Sequence, residues 1–221
     1  MAEIAELDAP ETLEAELNYY VDTGETPVSL VAGPGGIDTR VGGGSSEAHR
    51  VRLLNGRRHL DEFAIDRNGF VFVPHPTKMR DFYDEDEVRR VYYPEMEALI
   101  KRETGARRVV VFDHTLRTQD QAQRETRQIR DVVRRVHNDY TESSARKRVR
   151  DLMGDEAEAL LAGHFAIVQC WRPIRLPVES WPLAIAGSRT LSEKSMVVTE
   201  RRYQDRVGQT MAITWDPSHR W

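Results

Sequence analysis

The segment VVRRVHNDYTESSARKRVRDL, residues 132–152, places a histidine and an aspartate two positions apart, His137 and Asp139. On an extended strand, residues i and i+2 point to the same face. An imidazole nitrogen and a carboxylate oxygen presented together suit Fe(II). A face of two histidines and one carboxylate leaves coordination positions open for a cosubstrate and dioxygen. The spacing by itself is not specific. The chain has 7 histidines and 36 acidic residues, and His59 and Asp61, in RRHLDEF, repeat the pattern. On spacing alone, either pair reads equally as two solvated surface residues, and His59 and Asp61 stand beside Arg57 and Arg58.

Other chemistries have less support. No cysteine cluster or HExxH motif provides a zinc site, and no GxSxG marks a hydrolase nucleophile. The glycine-rich stretch GPGGIDTRVGGGSS, residues 33–46, lacks the Lys-Ser/Thr ending of a phosphate loop and reads as a mobile connection. The single cysteine, Cys170, excludes an internal disulfide and lies in the apolar run FAIVQCW, as a buried, inert thiol would. Between Arg117 and Arg150 lie nine arginines, Lys147 and five acids, a local excess of +5. This is either a nucleic-acid face or a solvated surface laced with ion pairs. The near absence of interleaved aromatics favours the second.

A chain of 221 residues can bury one substantial core. Its 39% hydrophobic and 31% charged residues describe a soluble globular protein, and a formal charge of -4 gives no global reason to expect nucleic acid or an acidic membrane as partner. The N-terminus, MAEIAELDAPE, has no apolar signal core, and no run approaches the roughly 20 apolar residues of a membrane span. A cytoplasmic location is expected.

The elements that must position the pair follow from local pattern. VRLLNGRRHL predicts a hairpin turning at Asn55-Gly56, and NGFVFVPH a strand. DFYDEDEVRRVYYPEMEALIKRETG predicts a helix capped by Asp84 or Asp86 and ended by Gly105, kinked or restarted at Pro94. ARRVVVFDHTLR and DVVRRVHND predict strands around the polar loop QDQAQRETRQ. Thr141 or Ser143 caps a helix over SARKRVRDLM, and DEAEALLAG gives a second short one. HFAIVQCW, PLAIAGSRTL, SMVVTERRYQDRVG and QTMAITWDP complete a strand-rich second half. The fold class is α+β, with a β-barrel or sandwich core and flanking helices.

Several segments together carry more information than the pair. LNYY, GFVFVPHPTKMRDFYDEDEVRRVYYPEMEALI, TGARRVVVFDHTLR, RRVHNDYTESSARKRVRDL, CWRPIRLPVESWPLAIAGSRTL and YQDRVGQTMAITWDPSHRW occur in this order along nearly the whole chain. In this combination the chain resembles the CmcJ/AsaB-like hydroxylase/desaturase family. The resemblance implies a non-haem oxygenase that uses Fe(II) and 2-oxoglutarate as cosubstrate, has a double-stranded β-helix (jelly-roll, cupin-like) core, and hydroxylates or desaturates a small molecule. It implies one domain, with residues 1–50 as an N-terminal extension and 51–221 as helices plus part of the β core.

Residue by residue, the resemblance makes His137 and Asp139 the first two iron ligands and gives His59 and Asp61 no such role. Arg172 and Arg189 become candidates to bind a carboxylate of substrate or cosubstrate, with a structural ion pair as the alternative. Trp171, with Trp181, becomes a candidate pocket wall, with core packing as the alternative. Gln169-Cys170 stand where the family has Asn-Val, and Gly187-Ser188-Arg189 where it has an acid two residues before the arginine. The family's distal histidine and 2-oxoglutarate-gripping arginine are expected after the HRW segment, which ends here at Trp221. The resulting expectation is a core incomplete on its C-terminal side, with the enzyme activity of this chain left open. A non-catalytic, small-molecule-binding relative is the alternative, and pairing with a second copy at an exposed strand edge is a further option.

Overall fold

In a computed structural model, residues 10–31, 38–178 and 180–221 are described. The strands are β1 (Thr12–Val21), β2 (Val28–Leu30), β3 (Thr39–Gly42), β4 (Ser45–Leu54), β5 (His137–Asn138), β6 (Met196–Arg202) and β7 (Val207–Ile213). The helices are α1 (Ile65–Asn68), α2 (Glu85–Glu87), α3 (Tyr93–Thr104), α4 (Gln121–Arg127), α5 (Glu142–Met153) and α6 (Ala157–Leu161). The fold is α+β, as expected. The chain divides into two compact units. One contains residues 1–55, 115–166 and 183–221, the other 56–114 and 167–182.

The first unit holds two sheets. Strands β1 and β4 pair antiparallel over ten residues, from Thr12–Leu54 to Val21–Ser45. The second sheet has the order β3-β2-β6-β7-β5, antiparallel except for the parallel pair β2–β6. Period-2 patterning gives its central hairpin two unlike faces. On one face, Met196 pairs with Ile213, and both pack with Tyr19, Val51, Leu17, Leu53, Val136 and Trp221 in the core. On the other face lie Val197 opposite Ala212, Thr199 opposite Thr210, and Arg201 opposite Gly208. The Thr199 and Thr210 hydroxyls meet there at 2.6 Å.

The hairpin expected at Asn55-Gly56 does not form. β4 ends at Leu54, whose N–H is taken by the Trp221 carbonyl at 2.8 Å, and Gly56–Glu62 winds into 3-10 turns. The partner of β4 is β1, with paired residues 24 to 42 positions apart (Val21–Ser45 to Thr12–Leu54), so the ladder is closed by a long-range pairing and not by the local turn. A second correction concerns QDQAQRETRQ, read as a loop. Its residues are good helix formers, and Asp120 caps them as α4 by accepting from the Gln123 N–H at 3.1 Å. NGFVFVPH, HFAIVQCW and most of ARRVVVFDHTLR find no ladder partner among the described residues and run as irregular chain. The first part of the N-terminal extension, residues 1–9, and the 32–37 part of the glycine-rich connection lie outside the described residues.

The second unit is organised by the helix run 84–104. Asp84 caps its start by accepting from Asp86 N and Glu87 N, both at 3.0 Å. A π-helical turn, Val88–Tyr92, then delivers Pro94 into the first turn of α3, where a missing N–H is tolerated. Gly105, at φ +68, ends the run in the left-handed region. The buried Glu87 turns back to accept from Arg80 N at 3.3 Å and Asp81 N at 2.9 Å, fixing the approach to the helix.

Candidate metal centre

His137 is set by three successive residues. Val136 packs into the core, so Arg135 and His137 on either side of it face the other way. His137 pairs with Ala212, which places it on the same face of the five-stranded sheet as Thr210, Thr199 and Arg201. The strand stops at Asn138. Two residues after Asp139, Thr141 caps α5 in a reciprocal box: Thr141 Oγ1 accepts from Ser144 N at 3.0 Å, and Ser144 Oγ accepts from Thr141 N at 2.9 Å. Thr141 Oγ1 also donates to Gln209 Oε1 of β7 at 3.1 Å. Asp139 is thereby held between a ladder and a helix cap.

The carboxylate of Asp139 folds back to His137, with Nε2 and Oδ1 3.2 Å apart. Nδ1 of the same ring lies 2.9 Å from the Arg135 carbonyl oxygen. A carbonyl only accepts, so Nδ1 carries the proton, and in the neutral ring Nε2 presents a lone pair to the carboxylate. Two acceptors facing each other call for a second proton or a cation between them. Donors at about 2.1 Å from one ion, at right angles, stand about 3 Å apart, which matches this pair. A backbone carbonyl fixing the non-ligating nitrogen is the usual support of a metal-bound histidine. His137 and Asp139 side chains are 24% and 44% exposed, open enough to take an ion. Among the described residues, no three His, Cys, Asp or Glu side chains gather closely enough to hold a metal.

The other candidates sit elsewhere. His219 is buried against the core side of the first unit, stacked on Tyr19 with centroids 5.7 Å apart. His59 bonds Glu62 at 2.8 Å in the 3-10 segment, where i and i+2 share no face, and Asp61 is exposed. Arg172, in the second unit, donates to the His75 carbonyl at 2.9 Å and lies over the Tyr92 ring. Trp171, in the same unit, is 51% exposed, and Trp181 is exposed too. Arg189 is exposed on a 3-10 turn of the first unit, Ser188–Thr190. Cys170, expected to be buried, reaches the surface; partial enclosure still raises its thiol pKa, against a nucleophilic role.

The sequence reading missed the charge around the pair. Burial lowers the pKa of Arg135, and Arg201 and Arg40 add to the effect while Asp38 and Asp139 oppose it. Arg117 is lowered by desolvation and then by Arg130, with Asp139 and Asp38 opposing. Arg201 is ion-paired to Asp38. The signal was present in sequence as the arginine excess after Arg117, but not the nearness of Asp38 and Asp139 to these arginines.

The fold is shared with a solved structure. An iron and alpha-ketoglutarate-dependent endoperoxidase, NvfI, superposes with a TM-score of 0.78 at 23% identity, over 96% of this chain and 78% of its own. The chain belongs to the family described as the oxidoreductase/YMDC permease-like domain, which matches residues 17–221. Among named relatives, Oxidoreductase AN1597 of Emericella nidulans is 27% identical, covering 96% of this chain and 79% of that protein. The alpha-ketoglutarate-dependent dioxygenase phiK of a fungal species is 26% identical, over 80% of this chain and 74% of that protein. Among the described residues, no helix is long and apolar enough to cross a membrane.

Proposed function

We propose that this chain is an oxidoreductase of the Fe(II)/2-oxoglutarate-dependent type that hydroxylates or desaturates a small molecule. The observation that carries the reading is the His137–Asp139 pair, with Nε2 turned to the carboxylate at 3.2 Å and Nδ1 tied to a backbone carbonyl. When bound, iron with 2-oxoglutarate and dioxygen supplies the oxidation of an unactivated C–H bond. His137 and Asp139 hold the metal. The Arg135 carbonyl keeps the imidazole in the ligating tautomer, and the Thr141 cap prevents Asp139 from swinging away with α5. The five-stranded sheet, β3 to β5, is read as part of a double-stranded β-helix. Arg189, in the same unit as the pair, is a candidate to meet a carboxylate of substrate or cosubstrate; Arg172 and Trp171, the other candidates from the resemblance, belong to the second unit. A single cysteine accords with a reducing compartment such as the cytoplasm.

The test is succinate formation from 2-oxoglutarate with Fe(II), ascorbate and oxygen, comparing the chain with His137→Ala. Turnover abolished by the substitution is expected. Iron binding and 2-oxoglutarate consumption unchanged by it would sink the assignment.

A further inference from the structure

In the second unit, three titratable side chains form a chain of contacts that the iron reading does not use. Tyr93 opens α3, and its hydroxyl lies 2.9 Å from Nδ1 of His114. Nε2 of the same ring lies 3.0 Å from Oε2 of Glu85, in α2. A carboxylate only accepts, so Nε2 carries the proton and Nδ1 presents its lone pair. At His137 the second partner is a carbonyl; here it is a hydroxyl, which donates to that lone pair, and no cation is called for. Arg89 holds the far side of Glu85, donating to Oε1 at 2.5 Å, and its guanidinium stands 5.6 Å from the Tyr93 ring centroid. Glu85, Arg89 and Tyr93 follow one another four residues apart through the π-helical turn Val88–Tyr92, an element found frequently at functional sites.

Phenol, imidazole and carboxylate in this order are a nucleophile, its general base and the group that orients the base. The buried pair Tyr19 and His219 lacks that order: the contact is 3.3 Å, and His219 Nε2 has no hydrogen-bond partner. Burial holds the Tyr93 pKa above its ordinary 10.0, with Arg89 opposing. The resting phenol is therefore neutral, and its proton must be taken as a bond forms. Tyr93 is half-buried, and the His114 and Glu85 side chains are 24% and 56% exposed, which leaves the cluster open to a small reagent.

We propose that Tyr93 is a nucleophilic phenol that accepts an acyl group from an activated ester, with His114 as its general base and Glu85 holding the imidazole in the required tautomer. The Tyr93 oxygen bonds to the ester carbonyl carbon. The bond from that carbon to the leaving oxygen breaks with its electron pair, and the phenolic proton passes to His114 Nδ1 and on to the leaving oxygen. Acyl-Tyr93 and a free alcohol result. The step needs no iron and is independent of the proposed oxygenase activity.

The experiment treats the metal-free full chain with p-nitrophenyl acetate near neutral pH. A burst approaching one nitrophenol per chain is expected, with the acetyl group located on Tyr93 by peptide mass spectrometry. Tyr83, more exposed at 40%, should be acetylated more slowly. Tyr93→Phe, which keeps the ring, should abolish the burst. His114→Gln should slow Tyr93 acetylation by about 100-fold or more. Glu85→Gln alters an exposed side chain and keeps the fold. It should slow the step by about tenfold or more through loss of the tautomer, and it decides the matter if His114→Gln unfolds. Acetylation of Tyr83 before Tyr93, an unchanged burst in Tyr93→Phe, or an unchanged Tyr93 rate in either folded variant would overturn the proposal.

Discussion

Trp221 donates its indole N–H to the Tyr19 hydroxyl at 2.8 Å. The two residues are 202 positions apart, and Tyr19 is fully buried. The ring of Tyr19 meets Trp215 edge-on at 5.1 Å and stacks on His219. One phenol thus joins β1 to the segment after β7. Tyr19→Phe keeps the ring packing and leaves the Trp221 N–H without its partner. A loss of about 1–2 kcal/mol is expected, read as a lower urea midpoint at unchanged m-value.

The same hydroxyl makes the fold sensitive to alkali. Burial holds the Tyr19 pKa up at about 12, against an ordinary 10.0, with the Trp221 hydrogen bond opposing. The fold therefore prefers the neutral phenol. Its contribution is complete below pH 10 and is lost as pH rises towards 12. The midpoint of Tyr19→Phe should fall less steeply than that of the unsubstituted chain over this range.

His219 acts at the other end of the scale. Burial lowers its pKa below 6.5, with Asp216 opposing, and its Nε2 is buried without a hydrogen-bond partner. The folded state prefers the neutral ring, so this contribution is present above pH 6.5 and is lost as pH falls below it. His219→Phe should flatten the acid limb of the stability profile, measured by thermal midpoint against pH.

Removing charge from Asp139 while keeping its shape isolates its proposed role. Asp139→Asn should weaken Co(II) or Fe(II) binding by roughly 100-fold or more, given that even supporting residues cost 10–100-fold. Asp61→Asn should leave it unchanged. Equal metal affinity in both would show that the His137–Asp139 contact is an ordinary ion pair.

Thr141 couples the pair to the helix behind it. Thr141→Ala removes the cap of α5 and the bond to Gln209. A cost of about 1–2 kcal/mol is expected in chemical denaturation. Thr141→Ser, which keeps the hydroxyl, should restore most of it.

What could be read from sequence divides along a physical line. The caps at Asp84, Gly105 and Thr141 depend on residues within one turn, and they were legible. So were β6 and β7, whose alternation is complete within one hairpin. β1 and β4 depend on each other across the chain, and no local pattern announces that pairing. Strand propensity without a partner yields the irregular course of NGFVFVPH and HFAIVQCW. The polarity of α4 hid a helix that needed only good formers and a cap. At the site, the i, i+2 spacing suggested His137 and Asp139, and family resemblance separated them from His59 and Asp61.

The unlike faces of the β6–β7 hairpin constrain how its length can change. Removing one residue from β6 would rotate every later side chain across the sheet, taking Thr199 off the face it shares with Thr210 and Arg201 off the face it shares with Gly208. Removing or adding two would preserve the assignment and shift only the span. Gaps between natural variants of this hairpin should therefore come in even numbers, and loop grafts made here should be cut to the same parity.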